Sequence, residues 1–162
     1  MKQQHNHQRL LIAAGILLGI SFAGLFDGIV LHQILQWHHM LTSVEPATNI
    51  GNLELNTLWD GLFNLITCGM NIAGLVLLWR AGQLGDFVGA SRKFTGSLLA
   101  GAGSFNVLEG LLNHHILGIH HVKSGANQLA WDLGFLALST ILAVFGLILL
   151  RNGQQDAATI KN

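Results

Sequence analysis

The chain has 162 residues, of which 51% are hydrophobic and only 10% charged; soluble domains carry about 25% charged residues, so an ordinary soluble domain is excluded. A formal net charge of zero excludes the basic footprint of a nucleic-acid-binding protein, and a single cysteine, Cys68, excludes both an intrachain disulfide framework and a cysteine zinc site. The mean hydropathy of +0.49 points instead to a chain whose solvent is the lipid bilayer.

Residues 1–9 are polar and read as a tail, with His5 and His7 solvated. An apolar run over residues 10–36 follows. It is longer than the roughly 7–15 residues of a signal-peptide core, so it reads as a retained span. The run turns polar only at Asp27, His32 and Gln36. Residues 40–56 carry Glu45-Pro46 and Gly51-Asn52 and read as a polar loop.

A second span over residues 57–79 opens with Trp59-Asp60 and sets Asp60, Asn64, Thr67 and Asn71 along one helical face. A short loop over residues 80–93, which includes Asp86, leads to a third span over residues 94–117 carrying Glu109, Asn113 and His114. Residues 118–127 form another loop, with His120, His121 and Lys123. A fourth span over residues 128–150 opens with Trp131-Asp132, and residues 152–162 form a second polar tail. The expected fold is therefore all-α, a polytopic membrane four-helix bundle over residues 10–151 with the lipid bilayer as its surroundings.

The chain also contains itself twice. Asp27-Gly28, His32 and His38-His39 recur 82 residues later as Glu109-Gly110, His114 and His120-His121. Trp59-Asp60 recurs as Trp131-Asp132 after a loop about ten residues shorter. Each copy holds two spans, so the pattern predicts a tandem two-helix repeat with both halves in one orientation, related by a pseudo-two-fold axis along the membrane normal. Lys2, Arg9, Arg80, Arg92, Lys93, Arg151 and Lys161 flank one side and Lys123 alone the other. The positive-inside rule then puts both termini in the cytoplasm and the histidine-rich ends outside.

A carboxylate inside a span costs about 3 kcal/mol on insertion scales, and such residues mark functional sites. Asp27 and Glu109 are two at matched positions. With Asp60, Asp132, His32 and His114 they form a candidate set of metal ligands. His38, His39, Asn64, Asn113, His115, His120 and His121 stand around it as groups that orient the ligands or admit the ion. Mixed nitrogen and oxygen donors suit a transition metal ion, namely copper(II), zinc or iron. One restriction attaches to the geometry. Asp27 and His32 are five residues apart, which in a straight α-helix turns them roughly 140° from each other, so a kink at Gly28 or a two-ion site is needed for both to serve.

Three other readings use the same residues. Four carboxylates and two histidines match in number the ligands of diiron carboxylate bundles, which would make a membrane oxidoreductase. His32 and His114 could be axial ligands of a b-type haem. Asp60 and Asp132 could cap their helices while the histidines bond across the bundle, giving a polar lock without chemistry. Whether the chain is an enzyme is left open. Homodimerisation through Gly15-x-x-x-Gly19 and Gly24-x-x-x-Gly28 is equally open, since such spacing serves packing within one chain as well.

The segments Phe26-Asp27-Gly28-Ile29-Val30-Leu31-His32-Gln33-Ile34-Leu35-Gln36-Trp37-His38-His39, Trp59-Asp60-Gly61-Leu62-Phe63 and Leu108-Glu109-Gly110-Leu111-Leu112-Asn113-His114-His115 resemble a bacterial membrane-protein family, domain of unknown function 2243. The resemblance covers nearly the whole chain. It implies a four-span protein of the bacterial inner membrane and carries no established activity. By analogy with the oxidase-assembly proteins beside which such proteins occur, it implies metal handling for respiratory-enzyme assembly, with those proteins as partners.

Overall fold

The computed structural model describes residues 2–85, 87 and 90–159. The expectations for Asp86 in the middle loop and for Lys161 in the C-terminal tail lie outside the described residues. Helix α1 spans Lys2–Leu25, α2 Ile50–Leu84, α3 Ser91–Glu109 and α4 Gln128–Thr159. Two π-helical segments extend α1 and α3 without a break: a first over Phe26–Ile34 and a second over Gly110–Ile116. Among the described residues there is no strand.

Several boundaries differ from those expected. Residues 2–9 are helical, and His7 is buried with its Nδ1 2.8 Å from the carbonyl oxygen of Ala81. That bond ties the start of α1 to the end of α2. Helix α2 starts at Ile50, ahead of the expected residue 57, because Asn49 caps it: its side chain accepts from the amide of Asn52 at 2.9 Å. Asn56, fully buried one turn on, donates to the carbonyl of Glu45 at 2.7 Å and accepts from the amide of Leu41 at 2.9 Å. This side chain pins the first outer loop to α2. Helix α4 runs on through Thr159, past the expected end at residue 150.

The packing follows from where the small residues stand. In lipid no hydrophobic force pulls helices together, so contact depends on close backbone approach. Helices α1 and α3 form the central pair, with α2 on the outer side of α1 and α4 on the outer side of α3. Among the described residues α2 and α4 do not pack on one another. Gly19 is needed at the α1–α3 crossing, since a Cβ there would overlap the backbone carbonyl of Leu98. Large apolar side chains point outward instead, as with Leu65 (68% exposed) on α2 and Ile141 (65%) on α4. An outward apolar surface around a core of small residues is the arrangement of a protein solvated by lipid.

Three stretches, Lys2–Ile34, Ile50–Leu84 and Gln128–Gly153, are long and apolar enough to cross a membrane. The third helix is not among them. It is rich in Gly, Ser and Ala and packs on both α1 and α4, with Gly96, Ser97, Ala100, Gly101 and Gly103 buried. Four helices are present as expected, and the central one is less apolar than a lone span would be.

The ends pair as an up-and-down arrangement requires. The start of α1 lies beside the end of α2 at His7 and Ala81, and the start of α3 beside the end of α4 at Lys93 and Gly153. The opposite end gathers both π segments and the loops over residues 35–49 and 117–127.

Candidate metal centre

The restriction on Asp27 and His32 is lifted by the backbone. In a π-helix the repeating bond runs between residues five apart, so such residues sit one turn above each other. Asp27 Oδ2 and His32 Nε2 lie 3.0 Å apart, and Glu109 Oε1 and His114 Nε2 3.4 Å apart. The amides of Leu35 and Leu117 bond back to the carbonyls of Val30 and Leu112, at 2.8 and 2.7 Å. The two segments then end alike, at Gln36 (φ 49°) and Gly118 (φ 59°). This left-handed turn, which glycine adopts freely and other residues seldom do, sends each chain back over the helix end.

The returning loops bring His38 and His120 over the centre. Both are buried, at 2% and 1% exposure, as are His32 at 0% and His114 at 3%. The rings of His38 and His120 stack at 4.7 Å with 10° between their planes. His32 meets His38 edge-on at 4.5 Å, and His114 meets His120 edge-on at 5.0 Å.

Each imidazole has its Nδ1 edge against an oxygen, although that of His114 makes no hydrogen bond there among the described residues. His32 Nδ1 lies 2.8 Å from Asp60 Oδ1, and His114 Nδ1 3.3 Å from Asp132 Oδ1. His38 Nδ1 donates to the carbonyl of Val122 at 2.9 Å, and His120 Nδ1 donates to the carbonyl of Met40 at 3.0 Å. A carbonyl only accepts, so both rings carry a proton on Nδ1; the Nε2 edge of His38 has no hydrogen-bond partner among the described residues, and that of His120 meets Glu109. Metal-binding histidines are held in this way, by a carboxylate or carbonyl on the nitrogen away from the metal.

The Nε2 edges turn to a common region. Nitrogens of His32, His38 and His120 form one group with ligand atoms within 4.8 Å of one another, and Glu109, His114 and His120 form a second. Asp27 Oδ1 is 3.6 Å from His38 Nε2, and Glu109 Oε1 is 2.8 Å from His120 Nε2. The last pair makes a hydrogen bond. By contrast, the Nε2 atoms of His32 and His38 are buried with no hydrogen-bond partner among the described residues. His32 Nε2 approaches Asp27 in distance but not in hydrogen-bond direction. A buried polar atom without a partner loses its hydration at a cost of about 1–3 kcal/mol, and a metal ion would supply the missing interaction. His38 lies beyond the spans, and burial holds its imidazole below the ordinary histidine range, against the pull of Asp27. Neutral imidazole is the form that binds metal.

The remaining residues fall into place around these. Asp60 also takes His39 Nδ1 at 2.7 Å and the amide of Met40 at 2.9 Å; Asp132 takes His121 Nδ1 at 2.7 Å and the amide of Val122 at 3.0 Å. Asp60 and Asp132 thus meet the Nδ1 edges of the inner histidines, and His39 and His121 are the half-buried groups behind them. Asn113 donates to Glu109 at 3.2 Å. Asn64 lies against Gly28, where a Cβ would collide with its Oδ1, and that oxygen is itself buried without a partner among the described residues. His115 is exposed and outside the group, as is its counterpart Gln33. Sequence reasoning placed His38 and His120 at the periphery. Their equal offset in the two copies was the available signal that they belong with His32 and His114.

Above the centre, Lys123 Nζ lies over the rings of both Trp37 and Trp131, 4.7 and 5.5 Å from their centroids. These tryptophans read as interfacial belt residues in the sequence. Here they also clamp the second loop over the first through cation–π attraction.

The family of predicted membrane proteins DUF2243 matches the chain over residues 14–153, and the chain belongs to it. No curated protein and no solved structure matches.

Proposed function

We propose that this DUF2243 membrane protein binds a transition metal through the Nε2 atoms of His32, His38, His114 and His120 together with the carboxylates of Asp27 and Glu109. One observation carries the reading. Four buried imidazoles have an Nδ1 edge within 3.3 Å of a carboxylate or carbonyl oxygen and their Nε2 edges turned to a shared region, where those of His32 and His38 lack any partner among the described residues. A lock made only of hydrogen bonds would satisfy those atoms. Asp60 and Asp132, expected among the ligands, act in this reading as groups that orient them. Donors of nitrogen and oxygen favour copper(II), zinc or iron. Imidazole rings in direct contact with one another favour a bare ion over a haem macrocycle.

The role we assign is metal handling on the outer side of the bacterial inner membrane, with both termini in the cytoplasm. Positive charge concentrated at the end opposite the histidines supports that orientation. His39 and His121, half-buried behind Asp60 and Asp132, offer the ion an approach from outside. Delivery to a respiratory enzyme during its assembly is the corresponding task.

Elemental mass spectrometry on detergent-purified protein without an affinity His tag tests the binding. Near-stoichiometric copper, zinc or iron is expected, and its loss in His38→Ala and in Asp27→Asn. Protein that stays metal-free after incubation with each ion would move the cluster to a purely structural role. For the assembly task, a deletion strain grown under metal limitation should show lower terminal-oxidase metal content, restored by the wild-type chain but not by His38→Ala.

A further inference from the structure

We infer that the centre is dinuclear, with one ion bound by each copy of the internal motif: Asp27, His32 and His38 hold the first, and Glu109, His114 and His120 the second. The inference rests on the metal-binding reading above and goes beyond it in number, ligand partition and chemistry.

The spacing of the donors argues for two ions. A single transition ion lies about 2.1 Å from each nitrogen or oxygen donor, so all its donors must fall within roughly 4.2 Å of one another. The six donors here do not form one such group. They fall into two, His32 with His38 and His120, and Glu109 with His114 and His120, joined only through His120, with the donor atoms of each within 4.8 Å of one another. One of the two groups, Glu109 with His114 and His120, is complete as two imidazoles and one carboxylate. In the first copy Asp27 reaches the two imidazoles through different oxygens, with Oδ2 3.0 Å from His32 Nε2 and Oδ1 3.6 Å from His38 Nε2. The unpartnered Nε2 atoms of His32 and His38 belong to this set.

Two imidazoles and one carboxylate leave coordination positions open and are the set used by non-haem iron. Two such sets side by side, with His38 and His120 stacked at 4.7 Å between them, suit a pair of ions roughly 3.5–4 Å apart that share a small oxygen-donor ligand. The halves are also interlocked. His38 is held by the carbonyl of Val122 in the other copy, and His120 by the carbonyl of Met40. Loading one ion therefore orders the loop that presents a ligand to the other.

Copper(II) titration of the metal-free protein in detergent, followed by elemental analysis and electron paramagnetic resonance, tests this. His32→Gln and His114→Gln serve as half-site variants, each checked for helicity by circular dichroism. Two ions per wild-type chain are expected, with a spin count well below two because the ions couple. Each variant should hold one ion with a full, uncoupled spin. One ion in the wild type, or two uncoupled spins, would overturn the dinuclear inference and leave metal binding standing. No bound ion would overturn the metal-binding reading, and this inference with it. If a variant is misfolded, the wild-type stoichiometry and spin count decide alone.

Discussion

Asp60 receives an inner imidazole, an outer imidazole and a backbone amide, and Asp132 an outer imidazole and a backbone amide with His114 Nδ1 3.3 Å away, and this sets what their removal should do. Asp60 Oδ1 meets both His32 Nδ1 and the amide of Met40, whose carbonyl in turn holds His120. Outer partners of metal-bound histidines are worth about 10–100-fold in metal affinity. Asp60→Asn and Asp132→Asn should therefore weaken binding by that factor without abolishing it, as read by competition with a chelator of known affinity. Asp27→Asn removes a ligand in our assignment and should lose more. His115→Ala provides the contrast: the side chain is exposed and outside the cluster, so metal content should not change. The four inner residues Asp27, His32, Glu109 and His114 were legible in the sequence because intramembrane acids and repeated spacing mark them. The placement of His38 and His120 was not, because it depends on a left-handed turn at Gln36 and Gly118 that reverses the chain.

Among the helices, the glycines divide into two kinds by what surrounds them. A Cβ at Gly19 would run into the backbone of α3, which cannot move aside without separating the central pair. Gly19→Ala should lower the thermal midpoint in detergent, with overpacking of this kind costing about 1–3 kcal/mol. Gly61 and Gly134 have open space around their Cβ positions. Gly61→Ala and Gly134→Ala should be neutral or stabilising, by up to ~1 kcal/mol, since alanine loses less backbone entropy in a helix. The π segments carry the other lesson at this scale. The five-residue interval from acid to histidine is incompatible with a shared face in an α-helix and natural in a π-helix. Read in the sequence it was an obstacle; in the backbone it is the device that makes each acid–histidine pair.

For the molecule as a whole, the membrane disposition we propose rests on charge, and the closure of the centre on contacts between the halves. Reporter fusions at the C-terminus should be active only as cytoplasmic reporters, and a fusion in the loop over residues 40–49 only as an external one; the reverse pattern would invert the orientation we propose. The two outer loops meet through the amide of Ser43 on the carbonyl of Ile119 at 2.9 Å and through Lys123 between Trp37 and Trp131. A cation–π contact at an exposed site contributes about 0.5–1 kcal/mol. Lys123→Ala should leave the helices intact but accelerate metal release to a chelator, with a change in tryptophan fluorescence as the two rings are freed.

Composition and hydropathy by themselves determined that the chain is helical and lives in a bilayer, because a long continuous apolar run can satisfy its backbone hydrogen bonds in lipid only by coiling into a helix. The doubled motif likewise marked the polar centre, since costly intramembrane acids at equal spacing have no cheap explanation. Tertiary structure alone decided which carboxylates meet the Nε2 edges and which the Nδ1 edges, that the Nε2 atoms of His32 and His38 lack a partner among the described residues, and that α3 packs between α1 and α4. Those outcomes depend on hydrogen bonds between residues about 80 positions apart, such as His38 with Val122 and His120 with Met40. No local pattern of residues encodes where such partners will meet.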